Sequence, residues 1–338
     1  MGEKRNREGM TQRELARRLG VSQMTVSRAL NGRDGVSTRL RKRILEASRR
    51  AGYVRDRVAA SLRVRATHTI GLVVPDVSDG FYPDITAGIE EAASREGYRI
   101  ILSHSHWSYR EECDNVDLLR GFRIDGLIIA PAGAENDTAL YAMLEEQGIP
   151  FVFIDRAKEK VDCSYVATDV ASGTLQLGRY LLNRGYEKWG YLSGPTGFST
   201  SEDHFKGLQQ SLAEAGRDTS RILSVQAGMT QSDGYKAAGV LLQSAQPDVI
   251  IGVNDPVAVG AYRHLREKNI RVPEDVAVAG FSDLKSMDIL EVPLTTVREP
   301  TAEIGRQAVS VLLHEIAHPD AEKQRVRLMP ELVVRRSA

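Results

Sequence analysis

Over the first fifty positions apolar residues recur three and four apart, the spacing of one face of a helix. Three short helices are predicted there. Thr11-Gln-Arg-Glu14 has the form of a capping box, and Gly20 closes the first helix. Ser22 is placed to cap a second helix, in which Val26 and Leu30 share a face. After a loop at 32–36, Ser37 starts a third helix that runs to about Ala51, with Leu40, Ile44 and Leu45 expected inside. From Thr69 the period changes. The runs TIGLVVP, YRIILSH, DGLIIAP, PFVFID, SYVATD, KWGYLSG, DVIIGVN and DVAVAGF alternate with amphipathic stretches at 83–96, 109–121, 137–147, 171–184, 201–215, 231–244 and 256–267, with a further short element at 221–226. Apolar strands separated by helices imply parallel sheets with helices on both faces, an α/β body. Two such series imply two lobes, with a ligand crevice at the carboxyl ends of their strands. Residues 53–68, between head and body, are rich in Ala and Arg and too few for a core; they read as a linker with a short helix at 57–62.

Charge sharpens this division. The formal net charge is zero, yet residues 1–65 hold 18 basic and 6 acidic residues, a net of +12, and the rest hold 27 and 39, a net of −12. A basic head on an acidic body points to a polyanion met by the head alone. The two cysteines, Cys113 and Cys163, fit a reducing cytoplasm. No run of about 18 apolar residues suggests a membrane span. The charged start, MGEKRNREGM, lacks the apolar centre of a secretion signal, so a cytoplasmic location is expected.

The head carries the spacing of a helix-turn-helix. Ala16 is small where two helices cross, Gly20 permits the turn, and Val26 locks the second helix onto the first. Gln23, Met24, Ser27 and Arg28 then face outward, as a recognition helix does in the major groove. Gln suits adenine, Arg suits guanine, and Met can touch a thymine methyl. Ser22 and Thr25 suit phosphate, and Arg41, Lys42 and Arg43 add sequence-independent attraction.

At these residues the chain closely resembles the LacI/GalR family of bacterial repressors. Gly20-Val-Ser-Gln-Met-Thr-Val-Ser-Arg-Ala-Leu-Asn31 matches the family's G-V-S-x-x-T-V-S-R-x-L-N. Ala51-Gly-Tyr53 and Arg57-Val-Ala-Ala-Ser-Leu62 resemble its hinge. Gly71-Leu-Val-Val-Pro75, Asp125-Gly-Leu-Ile-Ile129, Asn254-Asp255, Gly280-Phe281, Leu294-Thr-Thr-Val297 and Pro330-Glu-Leu-Val-Val-Arg-Arg-Ser337 continue the likeness through the body. The resemblance implies a helix-turn-helix head at 1–54, a hinge at 55–67, and a two-lobed core of the type I periplasmic-binding-protein kind at 68–338. Lobe one would take about 68–166 and 299–325, and lobe two about 167–298 and 326–338. It further implies a homodimer on a palindromic double-stranded DNA operator, controlled by a small-molecule effector. The DNA-contacting set would be Thr11, Ser22, Gln23, Met24, Thr25, Ser27, Arg28 and Asn31, with Arg57, Ala59 and Leu62 from the hinge. Leu62 would be a minor-groove wedge that unstacks a base step and bends the duplex. One departure stands out: the family's Pro-Asn before the hinge helix is Arg55-Asp56 here.

Candidate effector residues cluster at strand ends: Asp76 with Phe81 and Tyr82, Asp155 with Arg156, Asn254 with Asp255, and Ser282 with Asp283. Carboxylates and amides suit vicinal hydroxyls, and Trp107 offers a further aromatic wall. By resemblance, His204 stands where relatives commonly hold a clamping Arg, Met229 where some have a stacking aromatic, and Ser282 where a ligand-binding Asp is common. A sugar or sugar derivative is expected, with an acidic group facing Arg156 as one option and a purine as the alternative. No cofactor or metal is expected. His104 and His106 share a strand face as metal ligands can, without a third ligand at diagnostic spacing. Ser282-Asp-Leu-Lys285 matches S-x-x-K, a pattern short enough to arise by chance, while a G-x-S-x-G elbow, a P-loop and G-x-G-x-x-G are absent. An enzyme is thereby the weaker reading, and a periplasmic solute-binding protein would lack the head.

Overall fold

The computed structural model describes residues 10–30, 32, 34–51, 66–78, 80–133, 135–285 and 287–338. The chain divides into two compact units between Thr67 and His68.

The first unit contains helices α1 (Gln12–Leu19), α2 (Gln23–Leu30) and α3 (Thr38–Arg50). The capping box forms: the Thr11 N–H donates to Glu14 Oε2 at 2.8 Å, and the Glu14 N–H donates to Thr11 Oγ1 at 3.3 Å. Gly20 ends α1 in the left-handed region, at φ 66°, where a side chain would be strained. Ser22 caps α2 by accepting from the Thr25 N–H at 3.1 Å. Leu15, Ala16, Val26, Ala29 and Ile44 make the core. Leu45, expected inside, is exposed, because Ile44 and Ser48 occupy the inward face of α3.

The second unit has two parallel sheets. Lobe one is a six-stranded sheet built from β1 (Thr69–Val74), β2 (Arg99–His104), β3 (Gly126–Ile129), β4 (Phe151–Ile154), β5 (Ser164–Thr168) and β11 (Arg325–Leu328), in the order β11-β5-β4-β3-β1-β2. It is covered by α4 (Phe81–Arg95), α5 (Tyr109–Gly121), α6 (Ala139–Glu146) and α11 (Thr301–Ala317). One face packs Ile70, Leu72, Ile85 and Leu312, and the other packs Val73, Leu119, Tyr141 and Phe153. Lobe two is a four-stranded sheet of β6 (Trp189–Ser193), β7 (Ile222–Gln226), β8 (Val249–Gly252) and β9 (Ala277–Ala279), in the order β7-β6-β8-β9. Its helices are α7 (Val170–Asn183), α8 (Ser199–Glu214), α9 (Gln231–Ser244) and α10 (Asp255–Glu267), packed around Trp189, Leu177, Leu208 and Val257. A short antiparallel pair, β10 (Thr296–Arg298) with β12 (Glu331–Val333), completes this side.

The chain passes between lobes three times: after β5, between β10 and α11, and between β11 and β12. The strand at 325–328 lies wholly in lobe one, paired with β5, so this last crossing falls beyond Leu328 and not at residue 325.

Candidate functional site

In the first unit α2 leaves Gln23, Met24 and Arg28 exposed, with Thr25 and Ser27 half-buried; Met24 is 64% exposed. An exposed Met between Gln and Arg on an otherwise polar surface suits base edges and thymine methyls. Thr11 and Ser22 are exposed and also serve as helix caps, so any phosphate contact uses groups already oriented by α1 and α2. Asn31 and the hinge residues Arg57, Ala59 and Leu62 lie outside the described residues.

In the second unit a cleft runs between the lobes at the carboxyl ends of both sheets. Arg156, directly after β4, stands at its centre and is 5% exposed. Its Nε and Nη2 donate to Asp155 Oδ2 at 3.1 and 2.8 Å, and Nη2 also reaches the Tyr82 hydroxyl at 3.1 Å. That hydroxyl donates in turn to Asp155 Oδ2 at 2.8 Å. The guanidinium is layered between Trp107 from lobe one, at 4.9 Å, and Phe198 from lobe two, at 4.5 Å. Such stacking suits a delocalised planar cation. Nη1 is buried and finds no acceptor among the described residues.

Around this group lies a cavity of about 50 Å³. Of the expected residues it gathers Phe81, Tyr82, Trp107, Asp155, Arg156, His204, Met229, Asn254 and Ser282 in its wall. His204 is buried, and burial pushes its imidazole down to about 3, so it is neutral near pH 7 and packs edge-on against Phe281 at 4.4 Å. The Asn254 amide donates to the Met229 carbonyl at 3.0 Å, and its oxygen caps α10 through the Val257 N–H.

Three expected residues are not in the wall. Asp76 turns back onto its own loop, accepting from Val77 and Ser78. Asp255 is wholly buried, accepting from the Leu284 N–H at 2.8 Å and the Thr296 hydroxyl at 2.6 Å, and burial raises its carboxyl to about 6. Asp283 is held by Arg298 and Arg335, at 2.8 and 2.7 Å. Each carboxylate is consumed by local structure before a ligand could use it.

Several wall residues were not foreseen: Glu299, Thr200, Ser201 and Phe281. Glu299 sits at the crossing after β10, accepts from the Ser282 hydroxyl at 3.0 Å, and is raised to about 8 by burial and by the nearby Asp155 charge. It is a neutral carboxyl near pH 7, able to donate as well as accept. Backbone strain also marks the cleft: Trp107, Asp155 and Ser282 of its wall have positive φ, from 63° to 119°. Strain of this kind concentrates at functional sites. His106 itself pairs with Glu111 at 2.7 Å.

Comparison with known proteins bears on both units. Residues 11–56 match the description "Bacterial regulatory proteins, lacI family", and residues 67–335 match "Periplasmic binding proteins and sugar binding domain of LacI family". The chain belongs to the LacI family. Among relatives of this LacI-family chain, the ribose operon repressor of Escherichia coli K12 is 28% identical over 97% of the chain and 99% of its own length. The HTH-type transcriptional repressor PurR of Mannheimia succiniciproducens is also 28% identical, over 97% and 98%. A solved transcriptional regulator, a CelR–cellobiose complex, superposes with a TM-score of 0.74 at 30% identity, over 97% of this chain and all of that one. The LacI-family chain is a DNA-binding transcription regulator and not an enzyme, and its body has the periplasmic-binding-protein-like fold expected.

Proposed function

We propose that this regulator binds a neutral, polyhydroxylated effector, a sugar or sugar derivative, in the cleft around Arg156. The carrying observation is that the one central cation is already neutralised: Asp155 takes two of its N–H groups. What remains for a ligand is an unpartnered Nη1, the half-buried hydroxyls of Thr200 and Ser201, a neutral His204 and a neutral Glu299 between aromatic walls. Those groups read hydroxyls and suit an uncharged ligand. The acidic group considered from sequence would face Arg156, whose charge Asp155 already balances. A cavity of about 50 Å³ is far below the ~300 Å³ at which small-molecule pockets begin, so binding requires the lobes to part or side chains to move. The three crossings supply hinges for such movement. Relatives named for ribose and complexed with cellobiose accord with this class.

A purine is the second reading, favoured because Trp107 and Phe198 already sandwich a planar group. A thermal-shift series of sugars, sugar acids and purines separates the two, since a ligand of the folded state raises its melting temperature. Shifts from purines with none from carbohydrates overturn the sugar reading.

For the head we propose that a cytoplasmic homodimer reads a palindromic operator through Gln23, Met24, Ser27 and Arg28, with Thr11, Ser22, Thr25 and Asn31 on phosphates and Arg57, Ala59 and Leu62 in the minor groove. No helix among the described residues is long and apolar enough to cross a membrane. Gel shifts with the full chain on a palindrome selected from random DNA test this reading, and retention of preference after Arg28→Ala would count against it.

A further inference from the structure

The guanidinium of Arg156 occupies the cleft as a bound molecule would. The residue belongs to lobe one, yet its side chain lies in the angle between Trp107 of lobe one and Phe198 of lobe two, whose ring centroids are 6.1 Å apart. One edge is taken up by Asp155 and the Tyr82 hydroxyl. The next residue repeats the bridge between lobes, since the Ala157 carbonyl accepts from the Ser199 hydroxyl at 3.3 Å. Arg156 also stands in the walls of two separate spaces, the cavity of about 50 Å³ and a second of about 290 Å³. The second is bounded by the β4–β5 connection, β11 and the start of α8.

We propose that Arg156 is a built-in plug: without effector its side chain fills the aromatic corner and ties the lobes together, and an effector enters by driving it into the second space. This rests on the reading that the effector binds around Arg156, and it adds which side chain moves and where it goes. Three observations carry it. The space beside the guanidinium is far too small for a small-molecule ligand, whereas the second space has room for a displaced side chain. The plugged position is incompletely satisfied, because Nη1 has no acceptor among the described residues and a buried N–H left unmet opposes its own burial. The second space offers replacement partners in the carboxylates of Glu159, Glu202 and Asp203. Rotation about side-chain bonds connects the two positions. Of the groups offered to ligand hydroxyls only Nη1 leaves with the plug, and Asp155 and the Tyr82 hydroxyl are added. The free regulator thus holds its lobes with its own side chain, and the effector must break that contact before making its own.

The test uses the full chain with Arg156→Ala, which empties the corner. Ethylguanidinium, the part of the side chain removed, is expected to raise this variant's melting temperature saturably below ~20 mM, where guanidinium denaturation is negligible. Ethylammonium, equally charged but without the plane, should shift it far less, and the parent should respond to neither. Absence of the ethylguanidinium shift overturns the plug. Isothermal titration with D-ribose, cellobiose and adenine then asks what competes for the corner. A compound that binds the parent should bind Arg156→Ala at least about tenfold tighter, because a site open only part of the time loses affinity by that fraction. Ethylguanidinium should displace it. Equal or weaker binding to the variant makes Arg156 a partner of the ligand, which overturns the plug and leaves the carbohydrate reading standing. Competition by adenine with neither sugar bound does the reverse. If Arg156→Ala does not melt cooperatively, Asp155→Asn/Arg156→Ala, which strands no charge, takes its place and is judged by the same outcomes.

Discussion

The Asp155–Arg156–Tyr82 group concentrates most of the cleft's electrostatics in three side chains. A buried pair is weak evidence of net stability, but removing one partner strands the other. Asp155→Asn is therefore expected to cost about 3 kcal/mol in denaturant unfolding, and adding Arg156→Met should restore most of it. Additive losses in the double variant would mean that the two side chains are not energetically coupled. Glu299 makes a second residue-scale expectation. Its folded carboxyl titrates at about 8 against an ordinary 4.5, so between those values the folded chain holds a proton that the unfolded chain has lost. Its contribution is complete below about pH 4.5 and declines as pH rises to about 8. Glu299→Gln should gain melting temperature relative to the parent at pH 8 compared with pH 5; a difference independent of pH contradicts this. Part of this chemistry was legible in sequence. Arg156, Trp107 and the aromatic pair at 81–82 follow strands whose ends must face the crevice. Glu299 and Phe198 were not legible, because each enters from the far side of a lobe crossing or loop whose direction no local pattern records. Asp255 and Asp283 were overread, since a strand-end carboxylate serves a backbone N–H or an arginine as readily as a ligand.

Helices were read well because their burial depends on spacing. The stretch expected at 109–121 is Tyr109–Gly121, and that at 231–244 is Gln231–Ser244. What spacing could not show is how closely neighbouring helices approach. A Cβ at Gly88 of α4 would fall 2.3 Å from the Ala302 carbonyl oxygen, and one at Gly305 of α11 would fall 2.3 Å from that of Ile85. The two helices meet backbone to backbone, and α11 stays seated on lobe one although the strand before it, β10, belongs to lobe two. Gly88→Ala should cost about 1–3 kcal/mol by overpacking. Unfolding at the parental denaturant midpoint would show that the contact relaxes freely. In the head, the same legibility came from caps and a turn glycine, which act within three or four residues, and it failed at Leu45, where helix rotation is set by tertiary packing.

At the scale of the whole molecule the opposed charges of head and body predict steep salt dependence, since each phosphate neutralised releases counterions. Arg28→Ala is expected to weaken operator binding by about 1–3 kcal/mol while leaving random DNA nearly unaffected. Equal losses on both would assign Arg28 to phosphate. Leu62→Ala should reduce operator bending in a circular-permutation gel assay; unchanged bending removes Leu62 as the wedge. The three crossings have a consequence of another kind, in the order of manufacture. Lobe one's sheet lacks an edge until β11 is made, and lobe two is unfinished until Ser337 accepts from the Thr295 N–H at 2.8 Å and donates to the Val278 carbonyl at 2.6 Å. Domains fold as they leave the ribosome, at ~5–20 residues per second. The DNA-reading helices are therefore complete well before either half of the sensor. For roughly the 15–60 seconds taken to translate the remainder, the nascent chain carries a reader with no finished sensor to govern it. A stop codon just before β11 would make that interval permanent.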